Sequence, residues 1–450
     1  MTELPDLKRL THQAKDELIH GLWEELQTLR EQAAKPKKTS KNSSLPPAKG
    51  FKRAVKSKEP TKAAADEASE PSGGGRELSE HPDQIIQVQV SECQDCGQKI
   101  ELCEQQLLER YDKIDIPPIR PVVTRVERYG CACPACGAAQ IGAVPAHLAP
   151  GSPFSPRIAA LVTTLRYSHA ISYQRIEQLM ATVFGLTISQ GAIASLLQRV
   201  QTALMPPVAE ILQRIRQAER IGSDETSARV FGRNQWEWVF QNDDWCYHVI
   251  RPSRGQDVIA EVMGEHQPEV WVSDLFSAQK THPAKDWQVC LAHQLRDCQY
   301  GIDAGDTVFS PVMKRILLKA LADHRRWPEL AESTQYQYRC RIHRQLALAL
   351  ALSPTQADGI RLQNRYRDLR DHLFLFLEDT TIPPTNNASE QALRMSVIFR
   401  KVTNGFRSDW GRDLFAQVRS IVNTGMRHGL SAFQAIEAAL DPSQPLFPLG

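Results

Sequence analysis

After Arg220 the apolar period of this 450-residue chain changes from 3.6 to 2, and few architectures accept such a change in mid-chain. Before it, the segments SPRIAALVTTLRYSHA, SYQRIEQLMATVFG and SQGAIASLLQRVQTAL predict helices between Ser155 and about Arg216. Ser172 and Ser189 stand where N-caps belong, and Gly185 follows the second helix as a C-cap would. After it, ERIGSDETSARV, NQWEWVFQ and DWCYHVIRP read as short strands, parted by turns at Phe231-Gly-Arg-Asn and Asn242-Asp-Asp. A helix over Gln256–Glu265 is expected next, then the strands PEVWVSD and DWQVCLAH. Residues 311–378 return to a helical pattern, and a final helical block opens near Ala388.

Three meandering strands, a helix and a further strand ending in an acid form the opening of a ribonuclease-H-like α/β domain. At about 150 residues per domain, the length predicts roughly three domains. The second and third helices, joined by Gly185-Leu-Thr-Ile, have helix-turn-helix spacing. Such a pair is also an ordinary packing unit, so the spacing alone gives DNA contact only a small advantage.

Composition excludes several classes. Hydrophobic residues at 42% and charged residues at 24% are ordinary for globular proteins. The longest aliphatic run, Leu346 to Leu352, is far short of the ~18 residues of a spanning helix. The opening MTELPDLKRL carries acids and no apolar run, so no secretory leader is expected. In the cytoplasm thus expected, the ten cysteines are better read as metal ligands or reduced thiols than as disulfides.

Charge is unevenly spread. Ten Lys/Arg against Glu59 give net +9 between Lys35 and Lys62, whereas the whole chain carries +2. With Pro, Gly, Ser and Lys dominating residues 35–85, this stretch reads as a disordered linker whose basic half can neutralise phosphates. A solvated linker with no partner fits the charge nearly as well. Ahead of it, Ile19, Leu22, Leu26, Leu29 and Ala33 make a short a/d seam over residues 12–34. The seam suits either a dimerising helix or a helix packed on its own chain.

Two knuckles, Cys93-Gln-Asp-Cys96-Gly97 and Cys133-Pro-Ala-Cys136-Gly137, supply the thiolates that tetrahedral Zn²⁺ prefers. About 36 residues separate them, more than a zinc ribbon spans, so a small domain with strands at IIQVQV and Ile114–Tyr129 is expected between. Cys131 competes with Cys133 as a ligand. A closed four-thiolate site would be structural.

Asp224, Asp274 and Glu390 make the second constellation. On adjacent central strands and a later helix, three such carboxylates can hold two Mg²⁺ or Mn²⁺ ions about 4 Å apart for in-line phosphoryl transfer. Each has a blander reading. Asp274 could cap the next helix, and Asn387-Ala-Ser-Glu390 could be a capping box. Glu225 could replace Asp224, although strand alternation turns the two apart. Beyond Glu390, Arg394, Arg400, Lys401, Arg407, Arg412 and Arg419 outweigh Asp409 and Asp413, which suits a polyanionic substrate.

Several segments together resemble the large transposase of the bacterial insertion-sequence family numbered sixty-six. They are Asn42-Ser-Ser-Leu-Pro-Pro47, both knuckles, Ser223-Asp-Glu-Thr226, Val272-Ser-Asp274, Cys290-Leu-Ala-His293, Asn386-Asn-Ala-Ser-Glu390 and Arg400-Lys401. The resemblance runs in order over nearly the whole chain. The linker departs slightly, reading LPPAKGFK without the second serine pair common in relatives. The resemblance implies a DDE transposase with Asp224, Asp274 and Glu390 as catalytic, Mg²⁺-binding triad, and one structural Zn²⁺ on Cys93, Cys96, Cys133 and Cys136. Cys290 and His293 match a pair that many DDE enzymes with helical insertions carry, for which positioning of the insertion or DNA and a structural core role are expected about equally.

The expected division is a helix or short coiled coil at 1–34, a linker at 35–84, a zinc-binding domain at 85–150 and a helix-turn-helix region at 151–216. The first part of the catalytic core follows at 217–300, a helical insertion at 301–384, and core and C-terminal helices at 385–450. Gln190, Gln198 and Arg199, with Arg394, Arg400, Lys401 and Arg407, are the expected DNA contacts. Terminal inverted repeats and target DNA are the expected partners, with a homo-oligomer on DNA and small accessory proteins of the same element. A bacterial, nucleoid-associated location is implied. A decayed DNA-binding derivative and a metal-dependent nuclease without strand transfer are the competing readings.

Overall fold

A computed structural model describes residues 11–39, 41–43, 77–101, 105–145, 148–274, 279, 282 and 284–441. Helices α2 (Pro156–Tyr167), α3 (Tyr173–Phe184) and α4 (Gln190–Ile215) follow a first helix, α1 (His12–Ala34). Serine starts each of α2 to α4: Ser155, Ser172 and Ser189 accept from the backbone N–H of Ile158, Arg175 and Ala192. Gly185 closes α3 at φ 62°, the left-handed conformation that glycine adopts at little cost. Helix α4 runs on through Pro206 and Pro207, which cannot donate helical hydrogen bonds. Its buried face is continuous from Ile193 through Val200, Leu204 and Val208 to Ile215, and that packing carries the helix past the prolines.

Strands β3 (Arg220–Val230), β4 (Arg233–Gln241) and β5 (Cys246–Arg251) form an antiparallel meander. Phe231 and Gly232 both have positive φ in the two-residue β3–β4 turn, matching the strands' twist. Helix α5 (Gln256–Met263) leads back to β6 (Val270–Ser273) and β7 (Asp286–Val289), which lie parallel to β3 in the order β5-β4-β3-β6-β7. Gly222 of β3 is in register with Val272 of β6. Asp224, within β3, and Asp274, just past the end of β6, each stand two residues farther on, which places both acids at one level of the sheet on the same side of the pleat.

Beyond β7 come α6 (Leu291–Asp303), α7 (Phe309–Arg325), α8 (Glu332–Leu350) and α9 (Ala357–Asp368), then α10 (Asn387–Thr403), α11 (Asp409–Arg427) and α12 (Ala432–Ala439). The two faces of β6 serve two cores. Trp271 joins the core made by α2–α5, the meander and α10–α12, while Val270 and Val272 join that of α6–α9. One hydrophobic core contains residues on both sides of the expected 216/217 boundary, from Ala160 to Ala439. Helix α6 starts directly behind Cys290, ahead of residue 301.

The expected strands at Ile85–Val90 and Ile114–Tyr129 are not formed. Both stretches are extended but unpaired, and Val88, Val122 and Val123 are at least 90% exposed. Alternation marks a surface able to pack, but a ladder also needs a partner strand. The regular strands here are β1 (Gly130–Ala132) and β2 (Ala139–Ile141), a hairpin carrying the second knuckle.

On α1, Ile19, Leu22, Trp23 and Leu26 are exposed. Most of the basic linker, residues 44–62, lies outside the described residues. Its start is docked rather than solvated: Asn42 is buried and its Nδ2 donates to Oδ2 of Asp303 on α6 at 2.8 Å. Among the described residues no helix is long and apolar enough to cross a membrane.

Candidate active site

Burial is the largest influence on Asp224, and the neighbouring charges of Glu225, Asp274 and Glu390 add to it. Together they push its carboxyl up to about 8, despite a hydrogen bond from the Glu225 backbone N–H. Glu225 itself turns away. Its Oε1 takes Arg254 Nη2 at 2.7 Å and its Oε2 takes Gln279 Nε2 at 3.1 Å, while Arg254 stacks over Trp236. Neither Arg254 nor Gln279 carried a sequence signal, because the pairing is made only by the fold.

Glu390 lies in the first turn of α10. The N-cap is Asn386, with no side-chain capping bond, so the capping-box reading of Asn387 and Glu390 does not describe this helix. Oε1 of Glu390 is buried and has no hydrogen-bond partner among the described residues. His293 of α6 approaches it, with Nε2 at 3.8 Å. Burial pulls the His293 imidazole down, but the Cys290 thiol and the carboxylates of Asp274 and Glu390 outweigh it and raise it to about 9. At neutral pH His293 is therefore a cation set among acids.

The structure thus brings Asp224, Asp274, Glu390, Cys290 and His293 into one neighbourhood. Among the described residues, however, no three His, Cys, Asp or Glu side chains close tightly enough to hold a metal ion as they stand.

The expected DNA contacts divide. Gln190, Gln198, Arg199, Arg394, Lys401 and Arg407 are exposed. Gln190 bonds Glu177 at 3.1 Å, and Arg199 bonds Ser152 at 3.1 Å. Arg400 departs from expectation, because its guanidinium is turned inward onto the carbonyl and hydroxyl of Ser227 in β3. Of the remaining cations, Arg412 is committed to Asp409 and Asp413, and buried Arg419 to Asn423. Spacing along a helix cannot show which cations the fold consumes.

The knuckles are near copies. Gly97 donates to the Cys93 carbonyl at 2.9 Å and Gly137 to that of Cys133 at 2.8 Å, with glycine φ of 71° and 73°. Backbone N–H groups of Cys96 and Asp95 lower the Cys93 thiol, and those of Cys136 and Ala135 lower that of Cys133. Cys131 lies in β1, outside the turn that Cys133 begins. Each knuckle is formed locally, but the two do not converge into one four-thiolate cluster.

A second buried group carried no signal in the sequence. Between β4–β5 and helices α10 and α11, Glu237 takes His248 Nδ1 at 2.9 Å and Ser396 Oγ at 2.8 Å. Cys246 and Asn423 flank the other imidazole nitrogen, tying α11 to the sheet behind the acids.

The curated proteins offer no match to this chain. Residues 151–413, more than half of it, match the family described as transposase IS66 family. That stretch runs from α2 into α11 and includes all three candidate acids. The chain belongs to the IS66 family of transposases.

Proposed function

We propose that this transposase cleaves insertion-sequence ends and joins them to target DNA through a DDE site made of Asp224, Asp274 and Glu390. The observation that carries the reading is the placement of Asp224 and Asp274, each two residues beyond the paired Gly222 and Val272, with a buried Glu390 oxygen near them that lacks a hydrogen bond among the described residues. An antiparallel meander continued by two parallel strands is also the arrangement expected of a ribonuclease-H-like domain.

The donor set fits divalent cations chemically. Burial and the neighbouring carboxylates raise the proton affinity of Asp224, and one buried Glu390 oxygen lacks a hydrogen bond among the described residues. When bound, two Mg²⁺ or Mn²⁺ ions would activate the attacking oxygen and stabilise the leaving one. The chain's own contribution is placement. β3 and β6 hold two carboxylates side by side, α10 brings the third, and His293 supplies a fixed positive charge. Exposed Arg394, Lys401 and Arg407 follow Glu390 on and after α10, where they can meet phosphates. Gln190, Gln198 and Arg199 on α4 are proposed to read the ends. The Cys93 and Cys133 knuckles are proposed to share one Zn²⁺.

Purified protein incubated with labelled terminal repeats and a target plasmid, with and without Mg²⁺, tests the reading. Joined products that require the cation support it. Cleavage without joining would indicate a nuclease, and binding alone a non-catalytic derivative.

A further inference from the structure

We infer that Asn386 is the positioning residue that fixes the three acids relative to one another, an inference that rests on reading Asp224, Asp274 and Glu390 as the catalytic set. Each acid is preceded by a buried serine: Ser223 before Asp224, Ser273 before Asp274, Ser389 before Glu390. The side chain of Asn386 bonds two of these serines, and its backbone is linked to the third through Cys290. Its Nδ2 donates to the Ser223 carbonyl at 2.7 Å, and its Oδ1 accepts from Ser389 Oγ at 2.7 Å. Its backbone N–H donates to Cys290 Sγ at 3.1 Å, and the Cys290 N–H donates to the Ser273 carbonyl at 2.8 Å.

The serine hydroxyls are held as well. Trp271 Nε1 donates to Ser223 Oγ at 2.8 Å, Trp287 Nε1 to Ser273 Oγ at 3.1 Å, and Gln241 Nε2 to Ser389 Oγ at 3.2 Å. A carbonyl on one side and a hydroxyl on the other fix which amide atom points where. Asparagine suits this position because it presents one donor and one acceptor on a short planar group. Aspartate would turn a carboxylate oxygen toward the Ser223 carbonyl. Glycine at 222 is part of the arrangement: a Cβ there would lie 2.4 Å from Gln241 Nε2, 3.1 Å from Ser389 Oγ and 3.3 Å from Asn386 Oδ1. The β3 backbone is therefore free to approach the start of α10.

These bonds use none of the acid oxygens and act only through the residues beside them. Losing them would let α10 shift against β3, and a displacement of about 1 Å costs roughly a hundredfold in a positioned reaction. Because the serines are buried and the amide is 3% exposed, DNA does not reach the network.

The test uses the full chain carrying Asn386→Asp, Ser389→Ala or Asp224→Asn. Thermal unfolding, binding of labelled ends, Mn²⁺ affinity from water-proton relaxation, and cleavage kinetics are measured. Asn386→Asp is expected to bind ends like wild type, with Mn²⁺ affinity about tenfold weaker and kcat reduced about a hundredfold at unchanged KM. Ser389→Ala should move in the same direction by less. Wild-type Mn²⁺ affinity and kcat in Asn386→Asp, with Asp224→Asn inactive, would overturn the inference. Should Asn386→Asp not fold, the same wild-type values in Ser389→Ala overturn it. Cleavage by Asp224→Asn would instead remove the reading of the acids.

Discussion

His293 Nε2 lies 3.8 Å from Glu390 Oε1, so an imidazole from α6, just after the sheet, faces a carboxylate in the first turn of α10, almost a hundred residues later. This pairing links the placement of α6 to that of α10. Raised to about 9 from an ordinary 6.5, His293 favours the folded state while protonated. Its contribution is complete below pH 6.5 and is lost as pH rises through about 9. Thermal unfolding in EDTA across that range should show the decline in wild type and lack this component in His293→Gln. Parallel curves for the two proteins would remove the imidazolium from the site.

Asp224 produces a second pH effect. Its folded value of about 8 exceeds the ordinary 3.8, so the folded state holds a proton that the unfolded state has released. Stability should therefore fall as pH rises from about 4 to about 8. Asp224→Asn, which cannot ionise, should raise the metal-free melting temperature at pH 8. A gain of ~1 kcal/mol corresponds to roughly 2–4 °C in a domain of this size. A lower melting temperature in Asp224→Asn would mean that the charge supports the fold instead of straining it.

Arg400 separates a structural cation from a DNA-binding one. With its guanidinium on Ser227, Arg400→Ala should lose about 1.5–3 kcal/mol of stability, the scale for hydrogen bonds made by a charged group. The salt dependence of DNA binding should not change. Replacing Arg394, Lys401 and Arg407 together should leave the melting temperature alone and flatten the salt slope by about 0.9 for each phosphate no longer neutralised. Reversed outcomes would exchange their roles.

Much of this was legible in the sequence because the relevant signals are local. Period-2 stretches with turns at Phe231-Gly232 and Asn242 gave the meander, and the serine caps Ser172 and Ser189 gave the starts of α3 and α4. The sequence placed Asp224 in a strand and Asp274 at the end of a later one, and the parallel pairing of β3 with β6 sets both beyond Gly222 and Val272. Non-local features were illegible. Nothing in Pro206-Pro207 announces that a buried face will carry α4 onward, and nothing in IIQVQV says that no strand will pair with it. The shared core across residue 216, the inward turn of Arg400 and the docking of Asn42 on Asp303 depend on what lies opposite in space.

The knuckles lead to a metal prediction. N–H donors already favour the thiolates of Cys93 and Cys133, and four thiolates bind Zn²⁺ best when they converge. Full-length protein should contain one zinc per chain, and Cys96→Ala should lose it. On loading, the 85–129 stretch should gain protection from amide exchange as the two turns meet. Zinc-free protein, or undiminished zinc in Cys96→Ala, would leave the knuckles as isolated turns.

Glu390 and Glu225 provide the decisive contrast. Both are glutamates close to Asp224, but Glu225 is hydrogen-bonded by Arg254 and Gln279, while Oε1 of Glu390 is buried without a hydrogen bond among the described residues and faces His293 at 3.8 Å. Glutamine is nearly isosteric with glutamate and removes only the charge. In Glu225→Gln the ion pair with Arg254 is lost, at a cost to stability, while cleavage of terminal repeats should continue. In Glu390→Gln folding and end binding should persist, because Asn386 rather than Glu390 starts the helix. Cleavage should drop by about two orders of magnitude or more, since a neutral amide cannot offset cation charge where the leaving oxygen develops its own. Wild-type cleavage by Glu390→Gln would break the triad, whereas loss in Glu225→Gln alone would move the third acid to β3.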